Sequence, residues 1–249
     1  MAETWPDARP VGDELQVYAP VMNENVYTNH WTGPYYGFRN VTDTFRILED
    51  KGRLKPMGIY YHFYSGTKPE ALGALHEIYQ YALAQPVTPL YLSDYAKRVQ
   101  TLYYSALLRD DDGGWRWRGI GQPHTVTIEQ DQFPDLERST GVAGFHDVAG
   151  HRYVHLTGDS PQLFLTDTAP EGPSLAHANG VLTQWQRQQV AGKWRIILGL
   201  QSHQNVEFTL AGTRRCTTSD SSARMSRTGE QVQVALSSRQ TDSLMLECQ

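Results

Sequence analysis

The chain has 249 residues, a formal net charge of -5 and a pI near 6.0. That balance gives no reason to expect nucleic acid or an anionic membrane as partner, and the length holds one large domain or two smaller ones. No apolar run approaches the roughly 20 residues that span a bilayer, and the start Met1-Ala-Glu-Thr-Trp-Pro6 lacks the basic and apolar regions of a signal peptide.

Residues 1–16 are polar, hold Pro6, Pro10 and Gly12, and show no periodicity, so nothing there is expected to start a domain. Gln16–Ala19 reads as a short strand. A long stretch from Pro20 to Phe38 then mixes Asn23, Asn25, Asn29, Tyr27, His30, Trp31, Tyr35 and Tyr36 with Gly33, Pro34 and Gly37. Such a loop presents amides to hydroxyls and rings to a sugar face, or it tucks its aromatics beneath itself. Arg39–Leu48 reads as a helix with Val41, Phe45 and Leu48 on one face.

The stretch Met57-Gly-Ile-Tyr-Tyr-His-Phe-Tyr-Ser-Gly66 reads as a buried strand, Ile59 to Tyr64, that turns directly into a helix over Pro69–Gln85. Thr67 and Glu70 have the spacing of a capping box, and Pro69 is tolerated in the first turn. Leu72, Leu75, Ile78, Tyr79, Ala82 and Leu83 form a stripe suited to a sheet, with His76 and Glu77 off it. His62, among Tyr60, Tyr61, Phe63 and Tyr64, is a proton donor or acceptor near neutral pH, or else a core histidine bonded to a carbonyl. Val87–Leu92 reads as another strand, and Ser93-Asp94 as the cap of a helix from Tyr95 to about Leu108. Strand and helix alternate here as in a parallel sheet or barrel, but only two such units are complete.

Behind the charged turn Arg109–Gly114 the pattern changes. Short alternating runs begin at Trp115, His124, Tyr153, Gln162, Val181, Lys193, Val206, Gln231 and Ser243, separated by turns such as Ala149-Gly150, Ala191-Gly192 and Thr228-Gly229. Strands at this spacing predict a β-sandwich over 109–249. If Ala149-Gly150 is a two-residue hairpin turn, Val148 pairs with His151 and His146 with Tyr153. His151 and His155 then lie about 13 Å apart along one strand, too far for a single ion. His146 is diagonal to each at about 7–8 Å, so a metal there would need a carboxylate from elsewhere; solvated strand histidines are the other reading. Cys216 and Cys248 are the only cysteines. They lie on segments that could be neighbouring strands, which allows a disulfide and with it an oxidising compartment; two free thiols are the other reading, since spacing alone does not set the geometry. No P-loop, Gly-rich dinucleotide turn or Gly-x-Ser-x-Gly elbow is present.

Four stretches carry a resemblance: Asn23-Glu-Asn-Val-Tyr-Thr-Asn29, Trp31-Thr-Gly-Pro-Tyr-Tyr-Gly-Phe38, Ile59-Tyr-Tyr-His-Phe-Tyr-Ser-Gly-Thr-Lys68 and Leu92-Ser-Asp-Tyr-Ala96. They resemble the C-terminal part of the polysaccharide deacetylase domain of PelA-type proteins, periplasmic or secreted proteins of Pel exopolysaccharide biosynthesis. Gly141-Val-Ala-Gly-Phe-His-Asp147 and Arg152-Tyr-Val-His-Leu-Thr-Gly158 resemble the β-sandwich that follows that domain. The implied fold is the last β/α units of a divergent NodB-like (β/α) barrel over 1–108, then an antiparallel β-sandwich over 109–249.

The implied reaction is hydrolysis of N-acetyl groups on an amino-sugar polysaccharide. A water on a divalent metal, expected to be zinc, is helped by an Asp base, and a late-strand His protonates the leaving amine. His62 matches that His. Tyr27, Trp31, Tyr35 and Tyr36 would be pocket walls, with Asn25 and Asn29 as hydrogen-bonding groups for substrate. The family's base and metal ligands belong to the first half of the barrel. Residues 1–22 offer only Asp7 and Asp13 and no histidine, so the ligands are expected outside this chain, in an upstream half or a chain supplying it. As given, the chain is expected to be incomplete and inactive alone. The competing expectation is a non-catalytic carbohydrate-binding or assembly module. Exposed coplanar aromatics on the sandwich would favour that module, and buried ones a structural cap.

Overall fold

The computed structural model describes residues 6–18, 21–22, 37–49, 55–85, 87–119, 124–148, 150–158 and 160–249. It is built mostly of antiparallel sheets, with few helices, in two compact units, Met1–Val87 and Thr88–Gln249.

The first unit opens with a hairpin where none was expected. β1 (Asp7–Val11) pairs antiparallel with β2 (Glu14–Tyr18), and Val11 faces Glu14 across Gly12-Asp13. Gly12 takes the left-handed φ of +62° that a two-residue turn needs. β3 (Val21–Met22) pairs in parallel with β4 (Gly58–Ile59). The connection between them contains a 3-10 turn, Gly37–Asn40, and the helix Val41–Glu49, which starts two residues later than expected. A parallel pair needs such a crossover. Phe38, Val41 and Phe45 of this segment pack against Ala71, Ala74, Leu75 and Ile78 of the helix Pro69–Leu83.

The buried strand Ile59–Tyr64 does not form. β4 stops at Ile59, and Phe63–Thr67 winds into a 3-10 turn. The β-preference of Tyr and Phe is a preference for packing against neighbouring strands, and among the described residues none lies alongside. The capping box is also absent. Lys68 is the N-cap, with no side-chain capping bond, and the Thr67 hydroxyl donates instead to the Tyr64 carbonyl at 2.7 Å. Nor does the helix bury the whole predicted stripe. Ala71 and Ala74 join Leu75, Ile78 and Ala82 inside, while Leu72, Tyr79 and Leu83 stay exposed.

The second unit begins with the helix Leu92–Tyr104, which starts earlier than predicted, with Tyr91 as its N-cap. Val87–Tyr91 forms no strand. β5 (Ser105–Arg109), predicted as the helix end, is drawn into a hairpin with β6 (Trp115–Gly119), to which β11 (Gln162–Leu163) adds on the other side. β7 (Thr125–Ile128), β10 (His151–Leu156) and β9 (Val142–Val148) make a second three-stranded sheet. Its β9–β10 register is the expected one, Val148 opposite His151 and His146 opposite Tyr153. β8 (Phe133–Pro134) and β12 (Leu165–Thr166) form a short pair.

Two four-stranded sheets follow. One runs β13 (Ser174–Ala178), β16 (Glu207–Ala211), β19 (Gln231–Ala235), β18 (Arg224–Thr228). The other runs β14 (Val181–Val190), β15 (Lys193–Gln201), β20 (Gln240–Cys248), β17 (Cys216–Thr217). Ile196, Leu198, Leu200, Leu244 and Leu246 of the second share one core with Phe208, Leu210, Val232 and Val234 of the first. Alternation places every second residue of each strand on this inner face, the sandwich-like layering the pattern predicted.

The cysteines are bonded. Cys216 stands directly opposite Cys248 in the β17–β20 ladder, with Cα atoms 4.1 Å apart, and the bridge spans 32 residues. Closing a loop of that size in the unfolded ensemble is worth on the order of 3–4 kcal/mol. The double variant Cys216→Ser/Cys248→Ser should lose that much in urea unfolding followed by tryptophan fluorescence; an unchanged midpoint would show that the bridge adds nothing. The β14–β15 turn holds Ala191 at φ +50° beside Gly192 at +77°, a turn that favours Asn at the first position. Ala191→Asn is therefore expected to raise stability by about 0.5–1 kcal/mol in the same assay.

Candidate functional site

Beyond Ile59 the chain runs extended and hands over to the 3-10 turn through His62, at φ -92° and ψ 152°. The Ser65 N–H closes that turn on the His62 carbonyl at 3.0 Å, and Ser65 itself is buried. This geometry gathers residues two apart. The His62 ring stacks on Tyr64 with centroids 4.9 Å apart and planes within 8°. Tyr60 meets it edge-on at 5.3 Å, and the Tyr60 hydroxyl lies 3.3 Å from Nε2. Tyr61 hydrogen-bonds Tyr79 of the following helix; burial first, then Tyr61, raises the Tyr79 phenol above its ordinary value.

The imidazole is half-buried, while Tyr60, Tyr61, Phe63 and Tyr64 around it are exposed, Phe63 at 96%. An imidazole can donate or accept a proton, and exposed aromatic faces can stack on a flat apolar surface such as a sugar ring. Asn25, Tyr27, Asn29, Trp31, Tyr35 and Tyr36, the predicted substrate residues, lie outside the described residues. The aromatic shell around His62 was legible in the sequence; its exposure was not, because the strand reading placed it inside.

The other histidines gather differently from the expectation. His155 sits opposite Gly144 in β9, and its Nε2–H donates to the Ala176 carbonyl of β13 at 2.9 Å. His177 belongs to β13, a strand the sequence pattern did not reveal, and it was not singled out there. It follows a bulge in the β13–β16 register, beyond Leu175, which is buried in the core. His177 stands close enough to His146 and His155 for their charges to repel. His151 stays apart, edge-on to Tyr153 at 6.3 Å. The reading of solvated strand histidines therefore fails for His155, which is half-buried and bonded to the backbone of β13. Among the described residues no three His, Cys, Asp or Glu side chains stand where they could share a metal ion.

Compared with known protein families, characterised proteins and solved structures, the chain matches none.

Burial lowers the imidazoles of His155 and His177 below their ordinary value, with neighbouring histidines adding to the effect and the Ala176 carbonyl and Glu207 opposing it. Burial, then Arg98, lowers His124 to about 4 from 6.5. The unfolded chain takes up these protons below pH 6.5 and the folded chain resists them, so their contribution to stability is whole above that pH and shrinks as pH falls toward 4. The urea midpoint of the second unit's unfolding should drop between pH 7 and 5. His155→Gln, whose amide can still donate to Ala176, should flatten that slope; an equal slope in the variant would refute the assignment.

Proposed function

We propose that this chain is the closing part of a polysaccharide N-deacetylase, acting on N-acetyl groups of an amino-sugar exopolymer, with His62 as the group that delivers a proton to the leaving amine. The observation that carries the reading is where the aromatic rings are. Among the described residues, every exposed Tyr or Phe lies at or before Tyr104, and two of the exposed rings, Tyr60 and Tyr64, contact the His62 imidazole just beyond a parallel strand. In the sheets that follow, Trp115 and Trp117 pack on one core, Trp185 and Trp194 on another, and Phe208 is fully buried. Rings turned inward support a structural cap, so the alternative of a carbohydrate-binding sandwich has less to rest on.

The parallel β3–β4 pair with its helical connection, followed by the helix Pro69–Leu83, supports the last units of a (β/α) barrel. The described residues do not fit the divalent metal of the resembled family, so its ligands would come from an upstream half or a chain supplying it. Within these residues the chemistry is His62's: held edge-on by Tyr60 and stacked on Tyr64, the ring keeps one orientation while its proton moves. The Cys216–Cys248 bridge supports a periplasmic or secreted setting. No helix among the described residues is long and apolar enough to cross a membrane.

The test is release of free amine from an N-acetylated amino-sugar oligomer with added zinc, for this chain alone and for the chain extended upstream. The chain alone should be inert and the extended form active, with His62→Ala lowering kcat about 10²–10⁴-fold. An extended form that binds the oligomer but releases no amine would make the protein a binding module, and full activity in His62→Ala would remove the histidine from the mechanism.

A further inference from the structure

Four strands end the two large sheets: β13 and β18 in one, β14 and β17 in the other. Three of these edges are closed, each by a different device. β9 covers β13, with Gly144 so near that an added Cβ would stand 2.4 Å from the Leu175 carbonyl oxygen. β18 carries two exposed arginines, Arg224 and Arg227. β17 is two residues long and bonded to β20 through the disulfide. Covering segments, charges and shortness are how natural sheets keep strangers from pairing.

β14 has ten residues, no proline and one charge. Its start is occupied, since the Thr157 hydroxyl donates to the Leu182 carbonyl at 3.2 Å and a bulge follows at Thr183. From Gln184 to Val190 its backbone pairs with β15 alone among the described residues. The one charge is held inside. Arg187, whose side chain is 7% exposed, lies over the Trp194 ring and donates to the Glu137 carboxylate and the Glu171 carbonyl. The outward positions are Gln184, Gln186 and Gln188, facing Gly199, Ile197 and Arg195 of β15.

We propose that Gln184–Val190 is the pairing edge of a homodimer, in which β14 of two copies of this chain join antiparallel and the four-stranded sheet continues across a twofold axis. The fit of a second copy follows from symmetry. An axis perpendicular to the sheet keeps each face on its own side, so opposed residues share a face and one residue lies on the axis. An axis through Arg187 would oppose two guanidinium groups. An axis through Gln186 sets Gln184 against the partner's Gln188, Gln186 against the partner's Gln186, and Arg187 against the partner's Trp185. Amides, each both donor and acceptor, then meet amides, and no like charges meet.

Sedimentation equilibrium of the full chain over a range of concentrations tests this. The unaltered chain should form a dimer, and Gln186→Lys, which opposes two ammonium groups at the axis, should raise its dissociation constant at least about tenfold. Met245→Lys, on the same sheet face but on β20, should leave the constant unchanged. A chain that stays monomeric, a dimer that Gln186→Lys does not weaken, or one that both variants weaken equally would each overturn the proposal. A dimer joined instead through the exposed rings near His62 would be indifferent to Gln186→Lys.

Discussion

A backbone N–H or C=O taken out of water must find a partner, and the strands of this chain extend only as far as that partner does. Between Ile59 and Tyr64 the side chains favour a strand, yet β4 ends at Ile59 and no strand among the described residues lies alongside the residues that follow. The backbone then closes locally, through the Ser65-to-His62 bond of the 3-10 turn. That substitution of a turn for a strand brings residues 60, 62 and 64 into ring contact and leaves their neighbours in water. The arrangement around His62 thus follows from that local closure.

In the second unit pairing continues, and the cost of burying polar groups is met by specific partners. Arg152 of β10 is 5% exposed, yet its guanidinium makes two bonds of 2.8 Å to Asp147 and a third to the Gln132 carbonyl. Phe133 and Phe145 lie over it at 3.9 and 4.9 Å. A charge so held costs little to keep and much to strip of its partner, so it fixes β9 and β10 in register with the loop before β8. Arg187 is less completely held: its Nη2 bonds the Glu137 carboxylate and the Glu171 carbonyl, while Nε and Nη1 have no partner among the described residues.

Much of this was legible. Alternation located the long strands between Trp115 and Glu247, and Ala149-Gly150 set the β9–β10 register, because a half-buried antiparallel strand writes its two faces into the sequence. The failures share a cause. Gly12-Asp13 sits between strands too polar to show a face, Ser105–Arg109 continues a helical pattern until β6 draws it away, and Val87–Tyr91 has strand residues without a strand to join. His177 was passed over because β13 carries no alternation across its bulge. Each is decided by what the segment pairs with, which the pattern along the segment itself does not show. The bonded cysteines belong here too, since facing positions in a ladder are a property of register and not of spacing.

The candidate site itself divides along the same line. Its composition, one imidazole among four aromatic residues, could be read directly; its accessibility could not, because that depends on what covers the rings. The helix Pro69–Leu83 shows the same incompleteness, with Leu72, Tyr79 and Leu83 uncovered on a face of their own beside a fully packed one. Apolar surface of that kind is costly to leave in water, and the helix Leu92–Tyr104 and β5 of the second unit leave Leu92, Leu102, Leu107 and Leu108 exposed as well.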